Sequence, residues 1–191
     1  MEIFNTRLIA ENSRFEILFE EIRDGELHVP DYLCVRPKFR NADGTTGIAI
    51  LPLIETEAGL CILLQQIYRP PIRATIWELP RGFIDAAAES PQTACLRELS
   101  EECGYTAETD QLEFVLTLYP DAGLADARIQ LWLAWNCRTL AGSHEQELGL
   151  SGHQLFSLPE IRVMIAAGEL QDPCTLVACQ QVLLREPRAE C

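Results

Sequence analysis

Three glutamates that fall within one helical turn are the residues of this 191-residue chain with the clearest chemistry. Glu98, Glu101 and Glu102 stand in the run Arg-Glu-Leu-Ser-Glu-Glu-Cys-Gly, and at about 100° per residue a helix places them on one face. Like charges three or four residues apart destabilise a helix by roughly 0.2–0.5 kcal/mol per pair. The pattern therefore indicates either a solvated acidic face that pairs with Arg97 or a site for a divalent cation with oxygen ligands.

The flanking residues predict a helix over about residues 91–103 that would hold these carboxylates rigidly. Ser90 suits a helix cap, Pro91 suits the first turn, and Gly104 suits the left-handed position that ends a helix. An apolar stripe would pack this helix on the core and leave the acids facing a site. The stripe consists of Cys95, Leu96, Leu99 and Cys103.

Residues 82–105 resemble the signature of Nudix hydrolases, in which a Gly and a Glu precede Arg-Glu-aliphatic-any-Glu-Glu-any-Gly. In this chain Gly82 is followed by six residues rather than five before Glu89, and Tyr105 stands where an aliphatic residue is usual. The extra residue falls within the alanines at 86–88 and leaves the helix spacing unchanged. It therefore affects the expected role of Glu89 rather than the roles of the metal ligands.

The resemblance implies hydrolysis of a nucleoside diphosphate linked to a further group, with Mg²⁺ as the cofactor and Mn²⁺ as a substitute. It implies Glu98 and Glu102 as the principal metal ligands, Glu101 as a residue that shares a metal or its waters, and the Arg81 carbonyl as a ligand from the loop. Arg97 would hold the acids in place by ion pairing. The chemistry is consistent, because three glutamates would repel a diphosphate unless cations were bound between them.

The loop at residues 119–129 resembles the corresponding loop of ADP-ribose pyrophosphatases. It places Pro120 sixteen positions after Gly104 and continues with a Gly-aliphatic-x-Asp-x-Arg run. This likeness favours ADP-ribose as the substrate, with AMP and ribose 5-phosphate as products. The alternatives are another NDP-sugar or dinucleotide pyrophosphatase of the same family, or a non-catalytic sensor that binds ADP-ribose.

Residues 65–69 resemble the substrate strand of the same enzymes, in which an arginine contacts the diphosphate. Arg69 is accordingly a candidate for phosphate contact through bidentate hydrogen bonds, the alternative being an ordinary surface arginine. Trp77 and Glu78 precede residues 79–85, which we call the catalytic loop, and are candidates for stacking on and hydrogen-bonding a base. Trp77 suits a core position equally well.

In the ADP-ribose relatives a glutamate on a mobile loop near the C-terminal end orients the attacking water. The matching stretch here is residues 142–150, which is rich in turn residues, and it offers Glu145 and Glu147. A solvated loop without a role is the alternative. The general base would then be Glu101 or a metal-bound hydroxide.

Length and composition set broad limits on class and partners. With 48% apolar and 23% charged residues, the chain suits one globular domain with an added subdomain. A formal charge of −14 and the lack of a basic run argue against nucleic acid and an anionic membrane as partners, which leaves a small molecule. No apolar stretch approaches 18 residues and the start lacks a leader pattern, so we expect a cytoplasmic protein.

The eight cysteines form no Cys-x-x-Cys pair and are expected to be free thiols in a core. The three histidines share no ligand spacing with them, so no zinc site is expected.

The order of elements predicts an α/β fold, and the resemblance implies an α/β/α sandwich with a mixed sheet. Short strands are expected at residues 14–21 and 27–35, joined at Asp24-Gly25, and further strands at 48–54, 60–67, 112–118 and 129–135. Helices are expected at 159–167, ended by Gly168, and at 173–185 behind a capping Asp172. We divide the chain into a β-rich part, residues 1–45, and a Nudix domain, residues 46–191. In ADP-ribose relatives a comparable N-terminal part forms a homodimer; the alternative is a hairpin that covers its own sheet.

Overall fold

A three-stranded antiparallel sheet forms the N-terminal part of the molecule, in the order β1-β2-β3. Its strands are β1 (Glu2–Glu11), β2 (Phe15–Asp24) and β3 (Leu27–Pro37). The structure is a computed structural model that describes residues 1–86, 88–141 and 148–185. The two predicted strands and the turn at Asp24-Gly25 are confirmed, with Gly25 at a φ of 61°. Strand β1 was not predicted, because its apolar residues do not alternate regularly.

A seven-stranded mixed sheet forms the centre of the molecule. Along one path its order is β12-β5-β4-β10-β9, with β10 parallel to β4 and the other neighbours antiparallel. The strands are β4 (Gly47–Thr56), β5 (Gly59–Arg69), β6 (Ala74–Glu78), β7 (Arg81–Phe83), β9 (Leu112–Leu118), β10 (Ile129–Ala134) and β12 (Leu150–Ser157). A small pair apart from this sheet joins β8 (Tyr105–Thr106) to β11 (Arg138–Thr139).

The central sheet splits where β4 and β5 diverge. The two strands pair with each other over the residues from Leu53 to Thr56 of β4, but further along β7 pairs with β4 and β6 pairs with β5. The residues that join β6 to β7, Leu79 and Pro80, therefore lie inside the sheet rather than on a surface loop. This split places the Gly82 segment beside the start of β4.

Helices cover both faces of the central sheet, which confirms the predicted α/β/α sandwich. On β4, Ile48 and Ile50 pack with Cys95 and Leu99 on one face, while Leu51 packs on the other face with residues of two C-terminal helices. The helices are α1 (Pro91–Glu98), α2 (Leu158–Ala167) and α3 (Pro173–Arg185). Helices α2 and α3 match the predictions to within one residue. Among the described residues, no helix has the length and apolar character needed to cross a membrane.

The acidic helix differs from its prediction in its last turn. Ser90 caps α1 by accepting a hydrogen bond from the Thr93 N–H at 3.1 Å, and Gly104 ends the segment at a φ of 66°, as predicted. However, the α-helix ends at Glu98, and Leu99–Cys103 forms a π-helical turn. Such turns are rare and depend on tertiary contacts that local sequence does not reveal. The predicted stripe is confirmed, with Leu96 half-buried and the other three members buried.

Strand β12 was also missed, because its sequence has no alternating apolar pattern. It pairs with β5 at the edge of the sheet, and seven of its eight residues are half-buried or exposed, so that only Phe156 is buried. Seven of the eight cysteines lie in the described part of the chain, and none of these seven forms a disulfide bond there.

Candidate active site

Strand β7 runs directly beneath two of the three glutamates. The Arg81 N–H donates to Glu102 Oε2 at 3.1 Å, and a Cβ built on Gly82 would lie only 1.7 Å from Glu98 Oε1. Any residue larger than glycine at position 82 would displace the Glu98 carboxylate. The loop and the helix therefore pack closely at Glu98 and Glu102, the two carboxylates that the family resemblance implies as principal ligands.

A cavity of about 700 Å³ opens over this point. It collects most of the residues predicted for the site, together with apolar side chains such as Phe15 and Phe83. The predicted residues that line it are Arg69, Arg81, Arg97, Glu98, Glu101, Glu102 and Pro120. Residues 69, 98 and 120 come from three separate elements, so the fold creates this grouping and no local motif does.

Arg97 is the centre of a hydrogen-bond network on the open side of the cluster. Its Nη1 donates to Glu98 Oε1 at 2.6 Å and to Glu101 Oε2 at 3.2 Å, and its Nε donates to Glu89 Oε1 at 3.0 Å. Its Nη2 donates to the Phe83 carbonyl oxygen at 3.0 Å. Arg97 thereby ties three carboxylates and the catalytic loop to one planar group, which is the pairing that the family resemblance implies.

The pKa values of two groups in this network, Glu98 and Arg97, differ strongly from their ordinary values. Burial raises the pKa of Glu98 from 4.5 to about 6, although the neighbouring Arg97 acts in the opposite direction. Burial alone would lower the pKa of Arg97, but its hydrogen bonds and charge attraction with Glu89 and Glu98 outweigh this and raise the pKa above its ordinary value. Ionising Glu98 therefore costs free energy unless further positive charge is nearby. A bound cation would supply this charge and lower the cost.

Glu89 closes the catalytic loop despite the additional residue before it. Its Oε2 accepts from the Asp85 N–H at 2.8 Å, while its Oε1 accepts from Arg97. The Asp85 carboxylate in turn pairs with Arg14 of the N-terminal part at 2.8 Å. The longer loop thus leaves Glu89 able to orient Arg97, and it connects the loop to the N-terminal part of the chain.

A second network, which is buried, lies on the β5 and β6 side of the cluster. The Arg69 guanidinium forms two parallel hydrogen bonds with Glu78, at 2.8 and 2.7 Å, and Arg81 Nη2 lies 2.9 Å from the same carboxylate. Glu78 has no exposed surface. Arg81 Nη1 also donates to Asp172 Oδ1 at 3.1 Å. Arg69 is thus neither a simple surface arginine nor loosely held.

The same network anchors the catalytic loop to helix α3. Asp172 Oδ2 accepts from the Thr175 N–H at 2.8 Å and from the Thr175 hydroxyl at 2.7 Å, which confirms its predicted capping position. The Thr175 oxygen accepts from the Leu79 N–H at 3.0 Å. The sequence indicated Asp172 only as a cap, and its pairing with Arg81 lies 91 positions away in the chain, beyond any local signal.

Trp77 and Glu78, the candidates for base binding, do not line the cavity over the carboxylate cluster. Trp77 packs edge to face on Phe156 with ring centroids 4.9 Å apart, on the core face that α2 and α3 cover. Glu78 is engaged by two arginines. The structure therefore favours the core interpretation of Trp77, and it gives Glu78 a supporting position beneath Arg69.

Two further residues complete the assignment of predicted positions. Glu145 and Glu147 lie outside the described residues.

Gln65 of β5, which sequence reasoning did not single out, donates from Nε2 to Glu102 Oε2 at 3.0 Å. A polar residue inside an otherwise apolar buried strand was the signal that would have identified it.

The donor set of the cluster fits a hard divalent cation. Three carboxylates converge with the backbone of residues 81–82, and such oxygen donors are those that Mg²⁺ and Mn²⁺ prefer. Within the described residues, no three His, Cys, Asp or Glu side chains are grouped closely enough to hold an ion as they stand. In this structure Glu98 Oε1 accepts a hydrogen bond from Arg97 Nη1 at 2.6 Å, so an ion at this oxygen would compete with Arg97.

Comparisons with known proteins agree with this geometry. A model of the NUDIX domain family matches residues 45–170. An ADP-ribose pyrophosphatase of Bacillus subtilis is 30% identical over 143 residues, which cover 72% of this chain and 73% of that protein. An ADP-ribose pyrophosphatase of Saccharomyces cerevisiae is 37% identical over 94 residues, covering 48% of this chain and 39% of the yeast protein. An ADP-sugar pyrophosphatase of Mus musculus is 33% identical over 82 residues, covering 42% and 37%.

The fold also has a solved counterpart. The crystal structure of an ADP compounds hydrolase superposes with a TM-score of 0.73 at 16% identity, and the match covers 96% of this chain and 92% of the other. At this identity the likeness concerns the fold alone. Together with the family match, the cavity and the acidic helix, it leads to one conclusion: the chain belongs to the NUDIX domain family and is a pyrophosphohydrolase of the Nudix type.

Proposed function

We propose that this enzyme hydrolyses ADP-ribose to AMP and ribose 5-phosphate in a reaction that depends on Mg²⁺, with Mn²⁺ as a substitute. The observation that carries the proposal is the single cavity that combines the carboxylate cluster with Arg69 and Pro120. The names of the relatives from B. subtilis and yeast point to the same substrate.

The charges of the protein explain why a cation belongs to this reaction. The chain carries a formal charge of −14, and its cluster would repel a diphosphate. We assign Glu98 and Glu102 as principal ligands, Glu101 as a further ligand or a partner of bound water, and the Arg81 carbonyl as the backbone ligand. A bound ion of this type supplies neutralisation of phosphate charge and a more acidic water molecule.

Arg69 is the residue that we assign to the diphosphate itself. Glu78 holds its guanidinium in one plane by two hydrogen bonds, so little side-chain freedom remains to be lost when a phosphate binds. Pro120 follows β9 at the rim of the same cavity. Its rigid backbone would shape the edge of the substrate pocket.

We consider three glutamates for the residue that orients the attacking water, with a metal-bound hydroxide as the alternative base. Glu145 and Glu147 are the candidates on the loop, and Glu101 is the candidate on the helix. The Glu101 side chain is 40% exposed and lines the cavity, whereas Glu98 and Glu102 are buried. If a loop residue acts, Glu147→Gln or Glu145→Gln lowers kcat while substrate still binds. If Glu101 acts, both loop variants keep the wild-type kcat.

We also place the domain boundary between residues 45 and 46 and the enzyme in the cytoplasm.

We further propose that the enzyme is a homodimer assembled through the N-terminal sheet. Every residue of β1 is exposed, and its apolar side chains at Ile3, Phe4 and Leu8 are between 52% and 59% exposed. A hairpin that covered its own sheet would bury such side chains, whereas a second copy would cover them. Light scattering after size-exclusion chromatography tests this proposal, and a strict monomer would remove it.

A substrate panel tests the proposed activity most economically. ADP-ribose, ADP-sugars, other NDP-sugars, dinucleotides and nucleoside triphosphates are each incubated with Mg²⁺ or with EDTA, and the products are identified by chromatography. We expect AMP and ribose 5-phosphate from ADP-ribose only when Mg²⁺ is present. A preference for another NDP-sugar, which the mouse relative makes the second candidate, would move the substrate assignment within the family. Binding of ADP-ribose without turnover under all conditions would indicate a sensor.

A further inference from the structure

Gln65 is a polar side chain without any exposed surface, and it lies beside the carboxylate cluster. It belongs to β5, where its neighbours Leu64 and Ile67 are likewise fully buried. A buried amide is costly unless its donors and acceptor are hydrogen-bonded. The partners of Gln65 therefore show what the residue does.

Both ends of the Gln65 amide contact the last turn of the acidic helix. Nε2 donates to Glu102 Oε2 at 3.0 Å, and Oε1 accepts from the Cys103 thiol at 3.7 Å. The reverse amide orientation would set an oxygen against the Glu102 carboxylate, so the contacts select one orientation. Because the Arg81 N–H donates to the same Glu102 oxygen at 3.1 Å, two donors bracket Oε2 and fix the plane of this carboxylate.

The support behind this contact is rigid on the strand side. Gln65 is paired with His153 of β12 on one side and with Glu78 of β6 on the other, so its backbone lies inside the sheet. On the helix side, Glu102 and Cys103 are consecutive residues of the π-helical turn, and both contact Gln65. The irregular turn is accordingly where the helix meets a fixed point of the sheet.

We infer that Gln65 is a positioning residue that orients Glu102 for cation binding, an inference that rests on the proposed metal-dependent function. Outer partners of metal-binding carboxylates fix ligand geometry, and their loss typically lowers metal affinity about 10–100-fold. Gln65 acts through Glu102 and need not touch the substrate. Loss of its amide would therefore weaken the binding of the ion before it changes anything else in the site.

The test compares Gln65→Met with Gln66→Met. Methionine is close to glutamine in length and removes only the amide. Gln66 is the adjacent residue of the strand and its side chain points to the opposite face, so it controls for a change of the same size. Mn²⁺ binding to each metal-free enzyme is measured by electron paramagnetic resonance, and folding is checked by the melting temperature. We expect the Mn²⁺ Kd to rise about tenfold in Gln65→Met and to change less than about twofold in Gln66→Met.

Steady-state kinetics gives a second reading of the same variants. For Gln65→Met we expect the Mg²⁺ concentration at half-maximal activity to rise, with much of kcat recovered at saturating Mg²⁺. If Gln65→Met does not fold, Gln65→Asn replaces it, because its amide is one methylene too short to reach Glu102. The same weakening of Mn²⁺ binding is expected.

The outcomes separate this inference from the proposed function. A Gln65 variant that melts earlier but binds Mn²⁺ with the wild-type Kd has lost packing only, and this result would overturn the inference. In that case the double variant Glu98→Gln/Glu102→Gln still loses Mn²⁺ binding, and the proposed function stands. If that double variant binds as much Mn²⁺ as the wild type, the cluster is not the metal site, and both fail together.

Discussion

The carboxylate cluster is held from two sides that differ in construction. On one side Arg97, Glu89 and Glu101 form a network of residues that are close in sequence and partly exposed, with Arg97 at 24% and Glu101 at 40%. On the other side lie residues from distant parts of the chain, among them Gln65, Glu78 and Asp172, which are between 0 and 4% exposed. Both sides contain charged residues, but those of the first side are neighbours in sequence, whereas those of the second side are brought together only by the fold.

This difference indicates how the site would accept a cation. Glu98 Oε1 is bonded to Arg97 in the structure, so an ion at this oxygen would compete with Arg97 for it. Arg97 is partly exposed and has further hydrogen-bond partners in Glu89 and Glu101, so it would keep partners if its bond to Glu98 were broken. Glu102 is bracketed by Gln65 and the Arg81 N–H, which need not move. We expect the Arg97 side to adjust and the β5 side to stay fixed.

The largest expected effect comes from Glu98→Gln, which removes a ligand on the adjustable side. The neutral amide cannot neutralise an ion, and metal stabilisation of developing phosphate charge amounts to several kcal/mol, so kcat for ADP-ribose should fall by about 10³-fold or more. The measurement is initial rate at saturating Mg²⁺, with circular dichroism to check folding. Glu108→Gln, at an exposed pair with Arg138, is the matched control and should keep full activity. An active Glu98→Gln would remove Glu98 from the site.

Arg97→Lys probes the same side through its organising cation. Lysine keeps the charge but cannot serve Glu89, Glu98 and Glu101 from one planar group, so kcat should fall about 10–100-fold. The measurement is kcat from initial rates. Arg138→Lys, at the exposed pair with Glu108, is the control and should keep the wild-type kcat. Wild-type kinetics in Arg97→Lys would show that charge alone suffices on this side.

Glu78→Gln probes the fixed side. It weakens the two bonds that orient Arg69 and also affects Arg81, so KM for ADP-ribose should rise about tenfold, which corresponds to roughly 1.4 kcal/mol. The free energy of unfolding should fall by about 1–3 kcal/mol, less than for a fully buried pair because both arginines are partly exposed. Glu113→Gln, at a half-exposed pair with Arg185, should change neither quantity measurably. An unchanged KM in Glu78→Gln would separate Arg69 from the substrate.

The smallest expected effect is a pH dependence of stability in the metal-free protein. Folded Glu98 keeps its proton up to a pKa of about 6, whereas the unfolded chain releases it near 4.5. The folded state therefore binds more protons between these values, and the contribution of Glu98 to stability falls as pH rises through this window. At pH 7, metal-free Glu98→Gln should be more stable than the wild type by up to about 2 kcal/mol, and near pH 4 the two should converge. Urea unfolding in EDTA measures this difference, and a difference independent of pH would contradict it.

The two sides also differ in how far the sequence predicts them. The Arg97 side lies within residues 83–101, so a local motif and helical spacing indicate it directly. Local signals of the same kind predict that Ser90 caps α1, that Gly104 ends the helical segment, and where α2 and α3 begin and end. Capping and left-handed positions depend on neighbouring residues, which explains why these predictions are confirmed.

The β5 side was not predictable in the same way. The pairing of Arg81 with Asp172 spans 91 positions and that of Gln65 with Glu102 spans 37, so only the folded sheet brings them together. The π-helical turn contains Glu102 and Cys103, which contact Gln65, whereas helical spacing alone predicts a regular α-helix at these residues. Sequence position alone does not show that Glu78 is buried and paired with two arginines. Strands β1 and β12 were missed because edge strands have little need of an alternating apolar pattern.

The central claim is that the carboxylate cluster binds the divalent cation that a diphosphate requires. It is tested most directly by calorimetric titration of Mg²⁺ into enzyme that holds a non-hydrolysable methylene analogue of ADP-ribose. We predict saturable Mg²⁺ uptake by the wild type and its loss in Glu98→Gln/Glu102→Gln. Equal uptake by both proteins would contradict the claim.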